Sequence, residues 1–137
     1  MCDTQTNSTE AVIACNFGAI HPAERNDHAD TAENIFSATL DIRELAQGYG
    51  FRLPLENAML SKISQWIANE RLCCPFFTFS MVVDAELWLQ LTGTEEVKAY
   101  IHSVIVEPLV ETGKLPDKAA WIAAHTPREA KTDTFVK

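Results

Sequence analysis

The sequence has no uninterrupted apolar run of the ~18 residues that a membrane-spanning helix requires. It also has no glycine-rich phosphate loop, no Gly-x-Ser-x-Gly elbow and no Cys-x-x-Cys pair. These absences leave membrane insertion, nucleotide or other organic cofactor binding, serine hydrolysis and thioredoxin-type chemistry without positive support. Positive charge is scarce as well: 11 Lys and Arg stand against 19 Asp and Glu, for a formal net charge of -8, and no local basic patch offsets it. Such a chain is repelled by nucleic-acid backbones and anionic membrane surfaces, so neither is an expected partner. The polar leader at residues 1–10 lacks the basic and apolar segments of a secretory signal, which sets the cytoplasm as the expected location.

What the chain does have is enough apolar residues, 47% of 137, for the core of one domain. The expected organisation is a flexible leader at 1–10, an α+β domain at 11–107, and a C-terminal helical extension with a frayed tail at 108–137. Residues 11–17 form a short apolar run containing Cys15 and read as a buried strand or an extended lead-in. After His21-Pro22, residues 23–38 are rich in helix formers but show only a narrow apolar stripe (Ala29, Ala32, Ile35, Phe36), which places that helix on the surface. Leu40 and Ile42, then Gly48-Tyr49-Gly50 and the run 51–53, read as a hairpin.

From residue 55 to 74, Met59, Leu60, Ile63, Trp66 and Ile67 recur at three- and four-residue intervals, which predicts an amphipathic helix ended by Pro75. Phe77, Phe79, Met81 and Val83 alternate along one strand, and Leu87, Leu89 and Leu91 along the next, with the turn at Asp84-Ala85. Thr94 is a suitable N-cap, with Glu95 and Glu96 in the favoured first turn of a helix that should run to about Val106. Pro108 is expected to break the chain there, before a further short helix at 117–124. The fold class is therefore α+β: two β-hairpins forming an antiparallel sheet with helices packed mainly on one face, ferredoxin-like in style, with room for completion as a homodimer through the sheet. Trp88 falls on the opposite face from Leu87 and Leu89. It marks a dimer contact if that face is open, or packs under helices if both faces are covered.

The chemistry concentrates at Glu70, Cys73 and Cys74, which share a helix face and continue the buried stripe of Met59, Ile63 and Trp66. A carboxylate on that stripe is costly to bury unless a metal ion, a backbone amide pair or a cation such as Arg71 or Arg52 satisfies it. Adjacent cysteines on a regular helix point about a hundred degrees apart, so both grip one ion only where the helix loosens, as Pro75 allows. A Cys73–Cys74 disulfide would need a strained ring and is discounted. Cys15 would supply a third thiolate if its strand runs beside the helix end, giving a site suited to soft ions or, with Glu70 or a histidine, to tetrahedral zinc. The bland reading is that buried cysteine serves as a small hydrophobe. Cys2 has no assigned role. His21, His28, His102 and His125 are scattered and read as surface residues, His21 being the outside choice for an extra ligand; Asp27 and Asp30 beside His28 read as a solvated helix face.

The run Glu70-Arg71-Leu72-Cys73-Cys74-Pro75-Phe76 resembles the signature of a family of small bacterial proteins that share a Glu-Arg-x-Cys-Cys-Pro-Phe segment. The likeness extends to Leu87-Trp88-Leu89-Gln90-Leu91-Thr92-Gly93, Val97-Lys98 and the hairpin Gly48-Tyr49-Gly50-Phe51-Arg52, and spans roughly residues 12–105. The resemblance implies a cysteine in the first strand, matched by Cys15, and an association with heavy-metal or arsenic resistance; it implies no established activity.

Three functions follow, in order of expectation. The first is binding of a soft metal or metalloid (zinc, mercury, arsenite) through Cys15, Cys73 and Cys74, with Glu70 as fourth ligand or as base. The second is a non-catalytic dimerisation or interaction domain with buried cysteines. The third is a thiol enzyme in which Cys73 or Cys74 attacks substrate and Glu70 accepts the proton. An enzyme ranks last because a helix C-terminus disfavours a thiolate.

Overall fold

A computed structural model of the protein describes residues 16–115. Cys2, Cys15, His125, the leader, residues 11–15 of the expected first strand, the helix expected at 117–124 and the tail lie outside the described residues; the end of that expected strand, Asn16 and Phe17, is not in a strand, and Phe17 opens a 3-10 turn.

Two 3-10 turns, Phe17–Ala19 and Pro22–Glu24, lead into helix α1 (Arg25–Ser37). Strands β1 (Asp41–Leu45) and β2 (Gly48–Leu53) follow, then helix α2 (Asn57–Cys73), strands β3 (Thr78–Val83) and β4 (Leu87–Thr92), and helix α3 (Glu95–Ile101). Helix α3 passes through a π-helical stretch, His102–Val106, into α4 (Glu107–Thr112). The four strands form one antiparallel sheet in the order β1-β2-β4-β3, so the two hairpins lie side by side and join through their second strands. The α+β class and the two-hairpin sheet agree with the sequence pattern.

The hairpin turn is displaced from its expected place. Gly48 and Gly50 lie within β2, paired with Thr92 and Gln90, and the turn is made by Ala46 and Gln47. Close approach explains the glycine: a Cβ at Gly48 would stand 1.9 Å from the Leu91 carbonyl oxygen.

Cross-strand registration puts Tyr49, Phe51 and Leu53 beside Leu91, Leu89 and Leu87 on one face, and all the helices pack against it. The opposite face carries Asp41, Arg43, Arg52, Ser80 and Gln90 and is left to solvent. Trp88 lies on that open face, yet it is buried by its own neighbours: the Arg43 guanidinium stacks 4.1 Å above the ring, Glu86 accepts from its Nε1 at 3.0 Å, and Gly50 leaves room beneath it. Among the described residues no helix covers that face.

Two helix expectations are corrected. Helix α1 buries His28, Ala29, Ala32, Ile35 and Phe36, a stripe wide enough to enter the core. The Phe36 ring meets those of Phe51 and Trp66 edge-on, with centroids 5.2 and 5.3 Å apart. Pro108 does not break the chain. The wider π turn ends with the Glu107 N–H donating to the His102 carbonyl, and proline, with no N–H to place, follows inside the first turn of α4. The helix stops instead at Gly113, whose left-handed φ of 81° suits glycine, and Leu109 and Leu115 join the core.

Candidate metal centre

Along α2 the buried side chains are Met59, Ile63, Trp66, Glu70 and Cys73, at steps of four, three, four and three residues. The first three are the apolar stripe expected from the sequence, and the last two carry it on with a carboxyl and a thiol. Cys73 ends the helix. Cys74 takes non-helical angles (φ −128, ψ 72) ahead of Pro75, while its N–H still donates to the Glu70 carbonyl at 2.7 Å. That loosening turns both sulfurs to the same place: Cys73 Sγ and Cys74 Sγ are 3.6 Å apart, in contact but not bonded. A Glu70 carboxylate oxygen and both sulfurs all lie within 4.8 Å of one another, and all three residues are buried.

The buried partner that the structure gives Glu70 is neither of the expected arginines. Arg71 is exposed, and the carboxylate nearest Arg52 is that of Glu86, at 4.0 Å. Instead His28 reaches across from α1, its Nε2 2.8 Å from Glu70 Oε1, with both side chains 1% exposed. The expectation that His28 is a surface residue is therefore overturned. Its signal was present: His28 stands four residues before Ala32 and seven before Ile35, on the stripe that α1 buries. Its polarity hid it, because a buried histidine is recognisable only with its partner, and Glu70 is 42 residues away. Trp66 stacks near-parallel on the His28 ring, with centroids 6.4 Å apart and planes at 9°.

His21 is exposed, and its Nδ1 accepts from the Ala23 N–H at 3.1 Å to cap the 3-10 turn, so it takes no part in the cluster. His102 is exposed beside the Tyr49 ring. Asp27 is exposed, as a solvated helix face requires, whereas Asp30 is half-buried. The chain preceding α1 is nevertheless clasped to the cysteine pair. The Asn16 N–H donates to the Cys73 carbonyl at 2.8 Å, and Arg25 holds the carbonyls of Gly18 and Ile20, each at 2.9 Å.

The geometry suits one tetrahedral ion. Two sulfurs each about 2.3 Å from such an ion stand about 3.8 Å apart, and a carboxylate oxygen at about 2.0 Å lies about 3.5 Å from either. The observed 3.6 Å between sulfurs is near the first of these spacings, and the carboxylate oxygen lies within 4.8 Å of both. Among the described residues no other group of three such ligands occurs, and no helix is long and apolar enough to cross a membrane. Comparison of the chain with protein-family models, with curated proteins and with solved structures finds no match.

Proposed function

We propose that the protein binds a soft or borderline metal ion through Cys73, Cys74 and Glu70. Zinc is the first choice, with mercury and arsenite as further ligands of the same thiols, and Cys15 serves as the third thiolate. The observation that carries the reading is the sulfur–sulfur spacing of 3.6 Å with a carboxylate in reach at a fully buried helix end. Cys15 is the residue preceding Asn16, whose amide is tied to Cys73, which supports its inclusion. Thiolate ligands require a reducing compartment, in keeping with the cytoplasm. A binding protein is favoured over a thiol enzyme because the sulfurs are shielded from solvent and sit at the negative end of a helix dipole beside a carboxylate, where a thiolate is disfavoured unless a bound cation offsets its charge.

The test is metal content and free-thiol count on protein purified without chelator, for wild type and for the Cys73→Ser/Cys74→Ser variant. Stoichiometric zinc that disappears in the variant supports the reading. Protein that takes up neither zinc, mercury nor arsenite and whose thiols stay unreactive refutes it.

A second reading, an interaction domain working as a homodimer, is favoured by one observation. The outer strand β3 exposes Met81, Val82 and Val83 (38%, 43% and 49%) and carries no charge from end to end. Val82→Lys should abolish any dimer measured by light scattering; a monomeric wild type removes this reading.

A further inference from the structure

We infer that His28 is a positioning residue that sets the metal preference of the Glu70-Cys73-Cys74 cluster, favouring a divalent ion such as zinc over arsenite. The inference rests on the metal-binding reading above. Cys73, Cys74 and Glu70 alone already bring three negative charges to a dication, and the excess must be spread by a donor. The His28 Nε2, 2.8 Å from Glu70 Oε1, is that donor: it holds one carboxylate oxygen and so fixes how the carboxylate is presented beside the sulfurs.

The ring that does this is itself held. Trp66 stacks on it, and α1 carries it on the same stripe as Ala32 and Phe36, so the donor has little freedom to turn away. The ring also lines a cleft of about 40 Å³ between α1 and α2, together with Glu24, Asp27, Gln65 and Asn69.

The two ligand classes differ in what they need from Glu70. Zinc accepts sulfur and oxygen donors in a tetrahedron, so an oriented carboxylate strengthens its binding. Arsenite is bound by thiolates, and an oxygen donor adds little for so soft a centre. Loss of the His28 donor therefore weakens zinc and spares arsenite.

The experiment titrates zinc chloride and sodium arsenite separately into wild type, His28→Phe and His28→Gln, with thermal melting to confirm folding. His28→Phe keeps a ring for Trp66 but has no donor, and should weaken zinc about 10–100-fold while leaving arsenite affinity unchanged. His28→Gln retains an N–H donor and should restore most of the zinc affinity, a rescue that a purely packing role would not produce. Unchanged zinc affinity in a folded His28→Phe, or zinc and arsenite weakened together in both variants, overturns the inference while leaving the metal site standing. A wild type that takes up neither probe overturns the metal reading itself and this inference with it.

Discussion

The two halves of the buried stripe on α2 follow the same helical spacing and differ in everything else. Met59, Ile63 and Trp66 bury hydrocarbon and aromatic surface against α1 and the sheet, where each side chain contributes stability in proportion to the area it removes from water. Glu70 and Cys73, joined by Cys74, occupy equally buried positions with groups that gain less from burial, and Glu70 requires a histidine from another helix to be tolerated there. The difference teaches that one half of the stripe is held by apolar burial alone, whereas the other is buried together with a polar partner.

The largest effect should come from breaking the apolar half. Ile63→Ala should cost about 2–5 kcal/mol of unfolding free energy, read by urea denaturation, with metal stoichiometry of the folded protein unchanged. In the polar half, Glu70→Leu leaves His28 buried without its carboxylate and should cost about 1–3 kcal/mol. Adding His28→Leu should bring stability back to near the wild-type level, since replacing both partners of a buried hydrogen bond by apolar groups of similar shape is commonly near neutral. The double variant should fold and yet have weakened zinc binding. A double variant less stable than Glu70→Leu would erase the distinction between the halves.

A smaller effect lies outside both. Lys98 donates to the Leu45 carbonyl at 2.8 Å and pairs with Glu44 Oε2 at 2.8 Å, tying α3 to the first hairpin turn. Lys98→Met should cost about 1 kcal/mol and leave metal binding untouched. The smallest effect is that of Glu44, whose carboxyl is held below its ordinary pKa by the hydrogen bond and charge of Lys98. Because the folded value is the lower one, the contribution of Glu44 is present above the ordinary carboxylate range and is lost as pH falls through the lowered value. Thermal melting of Glu44→Gln against wild type should therefore differ slightly near neutrality and converge in acid, and salt should shrink the difference.

Periodicity made much of this molecule readable in advance. The α2 stripe, both hairpins, the alternation of Leu87, Leu89 and Leu91 and the Thr94 cap, whose Oγ1 accepts from the Val97 N–H at 3.3 Å, all arise from local patterns that repeat every two or every three to four residues. The Glu70, Cys73 and Cys74 grouping was legible for the same reason. What escaped depends on contacts distant in sequence or on an irregular backbone. His28 is intelligible only opposite Glu70, and Trp88 is buried on the open face because Arg43, from a strand that is not its neighbour, covers it. Pro108 is a helix breaker by every local rule, and only the π turn ahead of it makes a place for it.

That π turn has a consequence for how this chain tolerates changes in length. A π-helical stretch is an α-helix that has absorbed extra backbone, and side chains beyond it keep the azimuth of a helix about one residue shorter. Deleting one residue from His102–Val106 together with Pro108→Ala should heal the stretch into plain α-helix, with Leu109 still turned inward and Val110, 72% exposed, still turned out. The same deletion with Pro108 retained sets the proline ring against a carbonyl of the tightened turn, so the proline and the added residue stand or fall as a pair.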